Sequence, residues 1–164
     1  MNAILQFTFS SYYYHFVCLI YITKLTDAEG QLGYPSVDTQ PTPRRVSSLK
    51  ARIISVAAAN KHSAAVADTG EVLTWGSNKE GQLGYGTSNS ASNCIPRMVE
   101  YLKGKAFKCV SAAKYHTVAL GTDGEVSQYS LKRNGLCTSS NIKKFNRLSD
   151  VILFFRCLLG VIGL

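Results

Sequence analysis

Charge is scarce in this sequence, and acidic charge scarcest: 10 Asp and Glu stand against 18 Lys and Arg among 164 residues, for a net charge of +8. Proline occurs 4 times, methionine twice and tryptophan once. An apolar fraction of 46% nevertheless excludes a wholly disordered chain, which would be rich in charge and poor in apolar residues. The cysteines, Cys18, Cys94, Cys109, Cys137 and Cys157, form no CxxC pair and are odd in number. That excludes a disulfide scaffold and fits a reducing compartment, so a cytoplasmic or nuclear location is expected. Also missing are a P-loop, carboxylates paired at a useful spacing, a Ser/His/Asp context and any metal-ligand cluster. No catalytic residue, cofactor site or metal site is therefore expected, nor an enzyme.

Long hydrophobic runs are confined to the two ends. Residues 3–22 are uncharged and long enough to span a bilayer core. Gln6, Ser10, Ser11 and His15 interrupt them, however, Tyr12–Tyr14 lie mid-segment, and no basic stretch precedes them as in a signal peptide. Membrane anchoring is not the expectation. The C-terminal run at 151–164 is shorter and is broken by Arg156. Residues 131–164 carry six Lys and Arg against Asp150 alone, so most of the basic excess sits in this tail. A basic tail attracts nucleic acid, but Lys132, Arg133, Lys143, Lys144 and Arg147 have only Phe145 nearby to stack on a base. A solvated tail is expected, without a nucleic-acid partner.

The middle of the chain repeats itself, a feature that decides fold before any local signal does. EGQLGY stands at 29–34 and again at 80–85, and Pro43-Arg44 returns as Pro96-Arg97. Val46 and Leu49 return as Val99 and Leu102, and VAAANKHSAAVADTGEV at 56–72 aligns with VSAAKYHTVALGTDGEV at 110–126. The offsets drift from 51 to 54 while the order is kept, which puts the length changes in loops. Short β-branched runs between turn signals predict strands, with Asp68-Thr69-Gly70 and Thr122-Asp123-Gly124 as hairpin turns. Several strands in a unit of about 50 residues predict a propeller blade. The expected fold is all-β: about two propeller blades in an incomplete ring, with apolar ends outside it. Residues 1–28 form an apolar segment, 29–130 hold two repeats (29–79 and 80–130), and 131–164 form the basic, then apolar, tail.

Neither a Gly-Gly doublet nor a Trp-Asp dipeptide marks the repeat; Trp75-Gly76 closes a strand and SNKEGQLGYG follows. This order, then a Pro-Arg-x-Val strand, then VSAAKYHTVAL and a DGEV turn, resembles the regulator of chromosome condensation repeat family over about 29–130. EGQLGY, TSNSASN and AAKYHT are most similar to plant proteins that join ankyrin repeats to such a propeller, relatives of the inhibitor of Bruton tyrosine kinase. In such a blade Gly76, Gly81, Gly84 and Gly86 permit the tight inter-strand loop, as Gly70 and Gly124 do the hairpins. Leu83 and Leu32 plug the space between blades, and Trp75 adds a large buried surface. Pro43 and Pro96 are expected to start strands, where a missing N–H costs least. His62 and His116 follow a turn, where a ring can donate to a nearby carbonyl. Their recurrence argues for architecture, since a catalytic group is needed once per site.

The resemblance implies a closed ring of more blades than this chain holds. Where Trp75-Gly76 sets the pattern, the second repeat has Tyr129-Ser130. A fragment flanked by unrelated sequence is therefore expected, a truncated product without function being one alternative. Open strand edges and bare blade faces would favour self-association. The resemblance further implies a propeller surface for protein contact, partner unknown. The contact is expected in loop 34–43 or in the polar loop 85–95, through Thr87, Ser88, Asn89, Ser90, Ser92 and Asn93. A second implied role is guanine nucleotide exchange on a small GTPase such as Ran, with His62 or His116 matching a turn histidine near that contact. A third, photoreception as in the plant UV-B receptor of this family, needs clustered tryptophans including a GWRHT motif. The equivalents at 59–63 and 113–117 have none, and this reading fails.

Overall fold

The structure is a computed structural model that describes residues 28–35, 46–88 and 92–129. The apolar run at 3–22, Pro43, most of loop 34–43, Asn89, Ser90 and the tail from 130 onward lie outside the described residues. Among those described, all regular structure is β apart from one 3-10 turn at Glu100–Leu102. No described helix is long and apolar enough to cross a membrane.

Two antiparallel sheets follow one another along the chain. The first contains β1 (Ile53–Ala58), β2 (His62–Ala67), β3 (Val72–Gly76) and β4 (Asn93–Met98), paired in that order. The second contains β5 (Phe107–Ala113), β6 (His116–Gly121) and β7 (Val126–Tyr129), also in order. These are open sheets of the blade type, each strand hydrogen-bonding to its sequence neighbour. Both central hairpins close in the same way. Ala67 N–H donates to Glu71 O at 2.9 Å, and Gly121 N–H to Glu125 O at 2.7 Å. Tyr129 ends β7 as Trp75 nears the end of β3, so the strand forms despite the replacement.

Strand alternation sends one set of side chains to each face. From β2 and β3, Ala64, Val66 and Val72 point toward the second sheet, where they meet Phe107, Val110 and Ala119. Val99 and Leu102, from the connection between the sheets, complete this core. The opposite face of the first sheet carries Ala65, Ala67 and Trp75, packed against Leu32, Val46 and Leu49 from residues 28–49. Small side chains on the strands let the layers approach. Each fully buried Val or Leu adds roughly 1.5–3 kcal/mol.

Sheet and sequence repeat are out of phase. The boundary at 79/80 falls in the long loop between β3 and β4, inside the first sheet. Pro96 corrects one expectation: it is the fourth residue of β4 rather than its first. It is tolerated because the register with β3 breaks there, Thr74 pairing with Arg97 and Gly76 with Asn93. A proline at such an irregularity removes no ladder bond. Gly76, by contrast, is required by geometry, with φ 104°. A Cβ on it would lie 2.5 Å from Lys61 O and 2.7 Å from His62 Cα.

Gly76→Ala should therefore cost distinctly more than Gly104→Ala. Gly104 has φ 89° but nothing within 4 Å of where a Cβ would lie, so only the backbone penalty of about 1–2 kcal/mol applies. Urea unfolding of the two variants checks this; equal losses would refute the steric role of Gly76.

Candidate functional site

The chemically versatile side chains gather between the sheets, and the EGQLGY loop is what brings them together. Gln82 folds back on its own loop, its Oε1 accepting the Glu80 N–H at 2.9 Å; Gln31 does the same for Glu29 at 3.0 Å. Gly84 N–H donates to Gly81 O at 3.1 Å, and Gly33 N–H to Gly30 O at 3.2 Å. Each loop thereby turns the glutamine carbonyl toward the neighbouring sheet. Ser63 Oγ donates to Gln31 O and Thr117 Oγ1 to Gln82 O, both at 2.8 Å. The loop that follows β3 is thus bonded to β6 of the next sheet. Leu83, at its tip, is fully buried. Its carbonyl accepts from Thr74 Oγ1 at 2.8 Å, and its N–H donates to Asn78 Oδ1 at 3.2 Å.

His62 occupies the centre of this junction. Its Nε2 lies 2.8 Å from Thr117 Oγ1. That hydroxyl has one proton, already given to Gln82 O, so the ring N–H must donate and the neutral ring is the Nε2–H tautomer. The expectation that a histidine would donate to a nearby carbonyl is corrected: the acceptor is a hydroxyl of the next sheet. The nearby main-chain carbonyls accept from backbone N–H groups, Lys61 O from Ser77 at 2.8 Å and His62 O from Ala59 at 2.9 Å. Nδ1 of His62 is buried without a partner. Burial, with repulsion from His116 as a second cause, pushes the His62 pKa down to about 3. His116 is half-buried at the same position of the second sheet; burial lowers its pKa, and its Nε2 has no partner.

Trp75 Nε1 donates to Gln31 O at 2.8 Å, so one carbonyl serves both Ser63 and the indole. Gly70 and Gly124 both lie in hairpin turns with φ 86°, and Gly81, Gly84 and Gly86 all have positive φ in the loop. Of the proposed partner loop, Thr87 and Ser88 are exposed. Thr87 O accepts from Asn78 Nδ2 at 2.8 Å, and Ser92 Oγ donates to Glu29 Oε2 at 3.1 Å, so part of the loop is committed internally. Asn93 begins β4 and is half-buried.

Sequence reasoning missed Glu29 as a hub. Its Oε1 pairs with Lys79 at 2.9 Å and Lys61 at 3.2 Å, and the Lys79 contact foremost lowers its pKa. The equivalent of Lys61 in the second repeat is Tyr115, and Glu80 makes no ion pair among the described residues. Also unforeseen was an outward row on β4 and the turn after it. Ile95 is 56% exposed and Tyr101 69%. Arg97, two residues from Ile95 on the same face, stacks over Tyr85 at 5.2 Å. Alternation along 93–98 was the available signal.

The Regulator of chromosome condensation (RCC1) repeat pattern matches residues 27–66 and 69–120, and a second pattern of the same description matches 53–82. Among relatives, the human E3 ubiquitin-protein ligase HERC2 is 39% identical over 98 residues, covering 59% of this chain and 2% of that protein. The Ultraviolet-B receptor UVR8 of Arabidopsis thaliana is 33% identical over 107 residues, covering 65% of this chain and 24% of the receptor. Among solved structures, human WBSCR16 aligns with TM-score 0.57 at 19% identity, covering 64% of this chain and 27% of that one. Yeast RCC1 (Prp20), solved bound to Kap60, aligns with TM-score 0.52 at 20% identity, covering 63% and 24%. Another structure of Prp20p from Saccharomyces cerevisiae, whose description names binding properties to Gsp1p and histones, aligns with TM-score 0.51. The chain thus spans about a quarter or less of each of these proteins.

A buried ring held neutral in the fold but free to protonate when unfolded costs stability as pH falls. The loss should begin near the ordinary value of 6.5 and continue to about 3, where the folded His62 ring itself titrates. The slope approaches about 1.4 kcal/mol per pH unit for one such ring, and His116 acts in the same direction. Urea midpoints measured between pH 7 and pH 4 should fall steadily, and His62→Gln should flatten the profile. A profile unchanged by His62→Gln would refute the assignment.

Proposed function

The chain belongs to the regulator of chromosome condensation (RCC1) repeat family, and on that premise we propose that it acts as a non-catalytic protein–protein interaction module, part of a propeller in a scaffold or regulatory protein. One observation carries this reading: the reactive groups are consumed inside, while the outer edge presents apolar and aromatic surface. His62, Thr117 and Gln82 bond to one another between the sheets. Ile95, Arg97 and Tyr101 instead face solvent on β4 and the turn after it. Tyr and Arg are the side chains that most often anchor interfaces. The exposed Thr87 and Ser88 border this row, since Gly86 lies against the Tyr101 ring. They supply a polar rim to the same contact.

Regulation of a small GTPase such as Ran ranks second. His62 has no surface to offer a partner, being fully buried, whereas the His116 ring is only half-buried, although its Nε2 lies inside. Photoreception has no support, because the sole tryptophan is buried with its N–H committed to Gln31. A cytoplasmic or nuclear setting accords with the odd number and scattered spacing of the cysteines.

A photo-crosslinking residue placed at Tyr101 in cells should give discrete adducts with another protein, abolished by Ile95→Asp. The same residue at Lys108, exposed on β5, should not. Equal labelling at both positions would refute the assigned surface. Saturable acceleration of labelled GDP release from Ran would establish the second reading in its place.

A further inference from the structure

At one end of the two sheets lie the β1–β2 turn, the β5–β6 turn and the loop that follows β3. Ser77 N–H donates to Lys61 O at 2.8 Å, joining that loop to the first turn. Thr117 Oγ1 donates to Gln82 O at 2.8 Å, which brings the β5–β6 turn beside it. Among the described residues, the exposed charge at this end is of one sign. Lys61, Lys79 and Lys114 are exposed, whereas Glu80 is half-buried and the Glu29 side chain is only 13% exposed. At the opposite end the charges are mixed: Asp68, Glu71 and Asp123 are exposed, as are Lys103 and Lys105. Lys105 there pairs with Glu125 at 2.8 Å.

The Glu29 carboxylate holds two of these lysines without neutralising them. Ser92 Oγ donates to its Oε2 at 3.1 Å, and both ammoniums converge on Oε1, Lys79 at 2.9 Å and Lys61 at 3.2 Å. The lysine side chains are 48% and 55% exposed, so the carboxylate sits behind and the ammoniums in front. One negative charge is set against two positive ones, and each ammonium has donors left beyond the one aimed at Oε1. Two flexible side chains are thereby gathered in advance, which lowers the entropic cost of a ligand that touches both. Lys114 is also held, its Nζ 4.9 Å from the centre of the Tyr115 ring.

We propose that this end is a second contact surface, for an acidic segment of a partner protein, with one carboxylate bridging the Lys61 and Lys79 ammoniums and another reaching Lys114. The inference rests on the reading of the chain as an interaction module and adds the chemistry of a partner to it. Charge complementarity carries it: the surplus is positive, it is preformed, and its own carboxylate is already spent. Phosphates would suit the same lysines, but a bound single strand also needs open rings on which to stack its bases. The Tyr115 ring is covered on one face by Lys114. Three lysines likewise supply few of the phosphate contacts that hold a duplex at physiological salt.

Fluorescence anisotropy of a fluorescein-labelled oligoglutamate peptide, titrated with the full-length chain, tests this directly. Saturable binding is expected, weakening as salt is added. Lys61→Gln combined with Lys79→Gln should weaken it about tenfold, the loss of two exposed ion pairs, with an unchanged circular dichroism spectrum. Two control pairs remove the same charge elsewhere: Lys103→Gln with Lys108→Gln at the opposite end, and Lys143→Gln with Lys144→Gln in the basic tail. Both should leave the affinity within about twofold, since distant exposed charges are screened. Equal weakening by all three pairs would overturn the proposal, as would no binding by the wild-type chain. Tighter binding of a labelled oligothymidylate, weakened by the Lys61 and Lys79 pair, would overturn it in favour of nucleic acid. Adducts at Tyr101 that persist when oligoglutamate fails to bind separate that failure from failure of the interaction reading itself.

Discussion

A three-member hydrogen-bond chain, His62 Nε2–H to Thr117 Oγ1 and Thr117 O–H to Gln82 O, holds the two sheets in register. Apolar packing between sheets is non-directional; small and branched side chains such as Ala64, Val66 and Ala119 would tolerate sliding. The hydrogen-bond chain does not tolerate it. A shift that broke it would leave a buried ring, a hydroxyl and a carbonyl unpaired, each costing about 1–3 kcal/mol. The EGQLGY loop exists to present that carbonyl, its glycines permitting the turn and its glutamine side chain locking it.

The same logic explains why function is sought at the outer edge. A histidine whose pKa is pushed down to about 3 is a poor general base near neutral pH, because its ring binds a proton too weakly to take one from a substrate. Thr117 and Ser63 have given their protons to main-chain carbonyls and are poor nucleophiles there. Ile95 and Arg97 stay exposed on β4, an edge strand where a bulge and Pro96 already blunt strand pairing, and Tyr101 on the turn after it.

The relation between Glu29 and Glu80 shows how a repeat diverges. Both close the same turn through their N–H groups. Among the described residues only Glu29 gathers two lysines and a serine, and Tyr115 stands where Lys61 would have its counterpart. The backbone role is general to the repeat; the electrostatic one belongs to a single junction.

How much was legible beforehand follows from which interactions are local. Alternation, Gly turns and the offsets of 51 to 54 reveal strands, hairpins and two blades, since each depends on residues close in sequence or on repetition itself. An architectural role for the histidines could be expected from their recurrence alone. Their acceptor could not be, because Thr117 lies 55 residues from His62 and reaches it only when the second sheet packs. Pro96 was placed at a strand start because its missing N–H says only that a ladder bond is absent; the irregular pairing of β3 with β4 decides where that absence is harmless. The sequence alone determined the unit and its repetition. Tertiary structure decided which polar groups are spent inside, because that depends on contacts that no local pattern encodes.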